Sequence, residues 1–450
     1  MDSVDVVVIG GGPGGYSAAL RAAGNGFEVA IVEKEEVGGA CLNRGCVPAK
    51  AWIAGAEAVD HAALLRQVAE TPFEFTPSFQ KIVDRERKIV AQFRKSLSAL
   101  LEKKQVAVIK GEASFVSPDK IAVAGDEISF GHAVIATGTA PARLFGLSKE
   151  HALDTDSIFQ MPRLPASMLI IGAGVVGCEF ACVLARLGVT VTMLEMMPRI
   201  LPRVDGEVSK TLERELKKLK VEVMCGADIA WVEAGPQEAR AVMKNGAEVT
   251  AEKVFLSVGR EFPTGGLGLA NAGVQTRANG SIIIDEQYRT TSPKIFAVGD
   301  VAARFLLAYT AYREGAFVAD QIAGLSPDRN FGPVPMSIFT IPEIGAVGVT
   351  QEEAPEDAKI GSFMFRGLAR AHASGEIAGF IKIIADGATD KVLGVHMIGP
   401  RATDMIHIAA VAMKAGMTSR NLGDMLFAHP TLAEAVGEAA HDVHGRALHK

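Results

Sequence analysis

The chain has 450 residues, 48% of them hydrophobic and 22% charged, with a net charge of −6. That length exceeds one ordinary core and implies two or three domains, while the mild acidity excludes a nucleic-acid or anionic-membrane surface, which needs a basic excess. Five cysteines are too few and too irregular for a secreted framework, no apolar run reaches a membrane span, and an acidic start runs straight into an apolar strand without a leader, so a reducing, cytoplasmic setting is expected.

Val6–Ile9 reads as a strand, Gly10-Gly11-Gly12-Pro13-Gly14-Gly15 as a turn, Tyr16–Ala23 as an apolar helix, and Val29–Val32 as a second strand ending in Glu33. This is a dinucleotide fingerprint in its required βαβ setting. Gly10 makes the turn, Gly12 lets the backbone approach a pyrophosphate, Gly15 packs helix on strand, and Glu33 can accept from a ribose hydroxyl.

Next comes Gly38-Gly39-Ala40-Cys41-Leu42-Asn43-Arg44-Gly45-Cys46-Val47-Pro48-Ala49-Lys50. In a regular helix the two cysteines would stand about 7.5 Å apart along the axis and on different faces, beyond disulfide reach. A bridge therefore needs a distorted turn, which Gly45 permits and to which Pro48, by disturbing the next turn, contributes. So short a loop removes little chain entropy, so a bridge here suits labile redox work better than stapling. Two buried free thiols remain the alternative at this point.

Phe79 to about Lys104 carries apolar residues at mostly helical spacing and reads as scaffold. Strands are expected at Val106–Ile109, Ser114–Val116, Lys120–Val123 and Ala133–Ile135, and a linker runs from Pro141 to Pro165. A second fingerprint then follows: a strand from Met168 to Ile171, Gly172-Ala173-Gly174-Val175-Val176-Gly177, a helix to Leu187, and a strand from Thr190 ending in Glu195. First glycine and acid are 23 apart in both units (33 minus 10, 195 minus 172). The acid favours NAD, because it would repel a 2′-phosphate; Arg199 and Arg203 further on leave NADP open. Cys178 and Cys182 read as small core residues.

Val254–Val258 closes the second unit. Lys294–Asp300 reads as a strand and a glycine turn, with Asp300 capping a helix. From about Phe331 the pattern becomes α+β, with strands at Ser337–Thr340, Phe380–Ile384 and Val392–Ile398 and helices near 404–415 and 431–442. There Thr431 and Glu434 have capping-box spacing, and His429 stands just outside the helix. His441, His444 and His449 read as surface residues, and no metal ligand set is assigned.

The double fingerprint, the cysteine block, Ala297-Val298-Gly299-Asp300 and His429-Pro430-Thr431-Leu432-Ala433-Glu434 resemble, in order and spacing, the pyridine-nucleotide disulfide oxidoreductases. Within them the chain is most similar to the branch that oxidises dihydrolipoyl groups. The resemblance implies an α/β fold of two Rossmann-like dinucleotide-binding domains plus a C-terminal α+β dimerisation domain: 1–143 with 264–330 for FAD, 144–263 for NAD, and 331–450 at the interface of a homodimer. It implies FAD held by Gly10, Gly12, Gly15, Glu33, Lys50 and Asp300, and NAD held by Gly172, Gly174, Gly177 and Glu195. Cys41 would exchange with the substrate and Cys46 would lie against the flavin. Lys50 and Glu179 would form an ion pair beside it, and His429 with Glu434 would supply an acid–base dyad to the partner subunit. The substrate would be a dihydrolipoyl group on a carrier protein, or another small dithiol or disulfide. Tyr309 stands where that branch commonly has histidine, and Phe427 where it has His-Ala-His-Pro.

Overall fold

Val6–Ile9, the inner part of the strand Ser3–Ile9, is buried on both faces at the centre of a mainly parallel sheet in a computed structural model that describes residues 2–148 and 150–450. It pairs with Val29–Glu33 on one side and Asp126–Ile135 on the other. Ala107–Lys110 extends one edge, and the antiparallel strands Lys120–Val123 and Ala113–Ser117 extend the other. Ile295–Ala297 returns to this sheet, parallel to Ala133–Ile135, only after the whole second unit has been built.

The second unit repeats the arrangement. Ser167–Ile171 lies between Thr190–Glu195 and Lys253–Leu256, all parallel, in a five-stranded sheet. A three-stranded antiparallel meander from Ile229 to Ala251, which the sequence pattern does not announce, packs Val232, Ala241 and Met243 against Leu169 and Leu194. The third sheet is antiparallel, ordered Met336–Ile338, Glu343–Gly348, Val392–Gly399, Phe380–Ala385 and Lys359–Met364, with the helices Ala402–Lys414 and Glu434–Asp442 completing its core.

Two helices carry the cysteine block, Gly39–Arg44 and Cys46–Val68, and Phe79–Lys103 packs against the second of them. A Cβ on Gly55 would lie 3.0 Å from Ile82, so the two long helices meet at glycine distance. Trp52, fully buried, has Phe79, Phe159 and Phe180 around it at ring separations of 5.1, 5.2 and 6.3 Å. This aromatic knot fixes the cysteine helix against the helix of the second fingerprint.

The second unit is tied to the third sheet by charge. Lys382, 3% exposed, donates to Asp205 at 2.8 Å and Gln351 at 2.7 Å and pairs with Glu207 at 2.9 Å. Losing one partner of such a buried pair costs about 3–5 kcal/mol, because the other charge stays buried alone. No helix among the described residues is long and apolar enough to cross a membrane.

Several expectations need correcting. Pro48 disturbs nothing, since it falls in the first turn of Cys46–Val68, where its missing N–H has no helical partner to lose. Asp300 does not cap a helix: it lies inside the short turn Gly299–Ala302, whose cap is Val298. The helix expected from 431 begins at Glu434.

Candidate active site

The two fingerprints form the same crevice twice. Gly12 and Gly174, the residues before the helices Pro13–Gly24 and Val175–Arg186, share φ −73° with ψ of −174° and −169°. A Cβ on Gly15 would lie 1.8 Å from the Gly10 carbonyl, and one on Gly177 2.0 Å from that of Gly172, so only glycine lets each helix close on its turn. Around Gly12 and Gly174 there is room: the nearest atom to an added Cβ is 3.8 Å away at Gly12, and nothing stands within 4 Å at Gly174.

The acids are also used alike. Glu33 accepts from the N–H of Gly11 (2.7 Å) and of Glu35 (2.8 Å), and Glu195 from the N–H of Ala173 (2.6 Å) and of Met197 (2.8 Å). Each carboxylate is thereby locked beside its glycine turn, with lone pairs left over for a ribose. Neither helix has an acid in its first turn, so both N-termini keep their positive end for a phosphate. Beside Gly10, the Thr137 hydroxyl is buried with no partner among the described residues, a donor that a bound group can satisfy. The donor sets therefore fit one dinucleotide in each crevice. Arg199 does not compete for a 2′-phosphate: it donates to Glu352 at 3.0 Å and to the carbonyls of Pro202 and Val204 at 3.3 and 3.2 Å.

Between Cys41 and Cys46 the helix breaks where the sequence requires it. Gly45 has φ −143° and ψ −110°, and a Cβ there would stand 2.9 Å from the Ala40 carbonyl. Asn43 pins the approach: its amide donates to the carbonyls of Glu36, Val37 and Gly39 at 3.2, 3.1 and 3.0 Å, and its oxygen accepts from Arg94 at 3.0 Å. Both cysteines are free thiols in contact with one another. The hydrogen bond from Cys41 brings the Cys46 thiol down to about 7, aided by the Lys50 charge against the opposing effect of burial. Cys41 moves the opposite way, pushed up by the proton it shares with Cys46 and by burial. The Lys50 charge favours the thiolate at Cys46.

Lys50, one turn beyond Cys46, donates to both oxygens of Glu179 at 3.1 and 2.9 Å. Glu179 is buried on the second-fingerprint helix and also accepts from the Phe339 N–H at 2.8 Å, while Lys50 lies 4.4 Å from the Phe339 ring. Phe339 was missed from sequence, where nothing distinguishes it from an ordinary strand-end aromatic. Asp300 accepts from Thr139 at 3.2 Å, and Arg260 holds the Thr139 carbonyl at 2.9 Å. Burial raises the Asp300 carboxyl despite Thr139 and Arg260.

The dyad and the cap turn out to be the same carboxylate. Glu434 Oε2 lies 2.8 Å from His429 Nδ1, while Oε1 accepts from the Thr431 N–H at 2.6 Å. Thr431 turns its hydroxyl back to the Ala428 carbonyl at 2.7 Å, so the capping box is only half formed. Burial opposes ionisation of Glu434, but the Thr431 N–H and His429 outweigh it and hold the carboxyl low. A carboxylate can only accept, so Nδ1 carries the ring proton and Nε2 is left as the base. The His429 side chain is 73% exposed, and among the described residues no hydrogen bond joins it to the cysteines of its own chain. Phe427 rests on Gly437, and the Tyr309 hydroxyl donates to the Pro335 carbonyl.

Residues 4–315 match the family model described as pyridine nucleotide-disulphide oxidoreductase, and residues 334–440 match the dimerisation domain of the same group. Dihydrolipoyl dehydrogenase of Bacillus subtilis is 37% identical over 470 residues, covering 99% of each chain. That of Chlamydia pneumoniae is 35% identical over 443 residues, covering 97% of this chain and 96% of its own. Among solved structures, the Cu(II) complex of the HOCl-induced flavoprotein disulfide reductase RclA from Escherichia coli superposes with a TM-score of 0.89 at 25% identity, covering 98% of this chain and 99% of that one.

Proposed function

Because the chain belongs to the pyridine nucleotide-disulphide oxidoreductase family, whose members use FAD and NAD(H), we propose that this homodimeric disulfide oxidoreductase oxidises a dihydrolipoyl group. The observation that carries the reading is the pair of touching thiols, Cys41 and Cys46, one helical turn from the Lys50–Glu179 ion pair.

Bound FAD supplies the two-electron acceptor between the thiols and NAD. In this reading the first crevice, with Gly10, Gly12, Gly15, Glu33, Lys50 and Asp300, holds it, and the second, with Gly172, Gly174, Gly177 and Glu195, holds NAD. His429 of one subunit takes a proton at Nε2 from a substrate thiol of the other subunit's site. The resulting thiolate attacks Cys41 Sγ, the Cys41–Cys46 bond breaks, and Cys46 leaves as a thiolate. The second substrate sulfur then displaces Cys41 from the mixed disulfide, and its proton ends on Cys41. One proton is left on His429, one on Cys41, and the electron pair on Cys46.

Turnover of dihydrolipoamide with NAD, against other small dithiols and disulfides, tests the substrate. Failure to use dihydrolipoamide where another partner turns over would move the enzyme to that partner.

Two further outcomes follow from the geometry. In Cys41→Ser holoenzyme a long-wavelength thiolate-to-flavin absorbance should be present without reduction and fade on acidification, with the Lys50 charge favouring the thiolate. A pH titration of the spectrum checks this, and the absorbance should be missing in Cys46→Ser. Glu195→Arg should raise the ratio of NADP to NAD specificity at least about tenfold, by replacing repulsion of a 2′-phosphate with attraction. Steady-state kcat/KM for both nucleotides measures it, and an unchanged ratio would remove Glu195 from ribose reading.

A further inference from the structure

The acid that closes the second fingerprint leads into a loop, residues 196–205, whose far end rests on another domain. Leu201 within it has φ 44°, a left-handed conformation that leucine adopts rarely and that persists only where the surroundings hold it. The Leu201 N–H donates to the Ala173 carbonyl at 2.9 Å, and that carbonyl also accepts from the Cys178 thiol at 3.3 Å. Ala173 gives its own N–H to Glu195. The middle residue of the turn Gly172-Ala173-Gly174 is therefore fixed on one side by the acid and on the other by the loop.

Two side chains of the family's dimerisation domain hold the end of this loop. Lys382 grips Asp205, whose other oxygen accepts from the Gln351 N–H at 3.2 Å. Glu352 Oε1 accepts from Arg199 Nη1 and from the Gly206 N–H, both at 3.0 Å. A Cβ on Gly206 would lie 2.4 Å from that oxygen and 2.6 Å from Arg199 Nη1, so only glycine lets the two side chains meet there. Arg199 passes the hold on, because its Nη2 donates to the carbonyls of Pro202 and Val204 just after Leu201. The two grips differ in what their loss would do. The Lys382 and Asp205 side chains are 3% and 1% exposed, so cutting that pair endangers folding, whereas Arg199 and Glu352 remain 34% and 48% exposed.

We propose that Glu352, acting through Arg199, is a positioning residue for the dinucleotide: from the dimerisation domain it sets the loop that keeps the Ala173 peptide and Glu195 in the geometry that receives NAD. This rests on the second crevice being the one that holds NAD. The effect is on nucleotide affinity, outside the thiol chemistry.

Reduction of the flavin by NADH, followed by rapid mixing of the holoenzyme, reads this without any disulfide substrate. Glu352→Ala should raise the NADH concentration for half-maximal rate about fivefold, with the limiting rate within about twofold and with FAD content and melting temperature as in wild type. Glu352→Gln, which keeps an oxygen for Arg199 and Gly206, should stay within about twofold of wild type. Arg199→Met should match Glu352→Ala, and the double variant should be no worse than either single one, since both remove the same link. Gly174→Val serves as a control on the crevice: nothing stands within 4 Å of an added Cβ there, so the side chain has room in the protein alone but should raise the half-saturating NADH at least about tenfold by blocking the pyrophosphate. Half-saturation that is unchanged or lower in flavin-loaded Glu352→Ala, or single effects that multiply in the double variant, overturn the proposal while a raised value in Gly174→Val leaves the crevice reading intact. If Glu352→Ala does not fold, Arg199→Met decides by the same criterion. An unchanged value in Gly174→Val removes NAD from the second crevice, and the role of Glu352 falls with it.

Discussion

Hybrid dimers of Cys46→Ser and His429→Ala chains should regain about a quarter of wild-type activity, although each parent homodimer is nearly dead. In the proposed mechanism, Cys46→Ser removes the thiol that leaves with the electron pair, and His429→Ala removes a base whose contribution is about 10²–10⁴-fold. His429 is exposed and, among the described residues, no hydrogen bond joins it to its own cysteines, and the chain carries the family's dimerisation domain. If the base serves the other subunit, each hybrid holds one doubly damaged site and one intact site. Random mixing makes about half the dimers hybrids, and half their sites work, which gives the quarter. Activity of verified, flavin-loaded hybrids checks it; no recovery would place His429 within its own chain's site or outside the reaction.

Gly15→Ala and Gly12→Ala should fail in different ways. At Gly15 the new methyl would sit 1.8 Å from the Gly10 carbonyl, so turn and helix must separate, with a stability loss on the order of 3 kcal/mol and no flavin uptake. At Gly12 the nearest atom is 3.8 Å away, so the apoprotein should keep its melting temperature while the methyl occupies the approach to a pyrophosphate. Thermal melting of apoprotein, set beside FAD titration, separates the two. Equal melting temperatures with equal FAD affinities would remove the crevice from flavin binding.

What was legible in sequence is what short spacing controls. The two fingerprints, their acids and the break at Gly45 depend on residues near one another in the chain, and all three have the geometry their spacing demands. The Lys50–Glu179 contact spans 129 residues and the Arg260 hold on Thr139 spans 121, so no periodicity could pair them; only the resemblance named Glu179, and nothing named Thr139 or Phe339. The length of the helix from Cys46 to Val68 is not marked in the sequence, because it turns apolar residues toward several neighbours and lacks a single clean stripe. Pro48 misled for a related reason: it breaks a helix that contains it and suits one that has just begun.

The double use of Glu434 bears on which changes this lineage can absorb. A glutamine at 434 has one oxygen and one amino group for two neighbours that want different things. With its oxygen on the Thr431 N–H, the amino group must donate to His429 Nδ1, which drives the ring proton to Nε2 and silences the base. Turned over, the amide sets donor against donor at Thr431. Aspartate is a methylene too short to reach both partners. Under the role proposed for His429, replacing Glu434 is therefore expected to be felt by the loop from Ala428 to Ala433, by turnover, or by both.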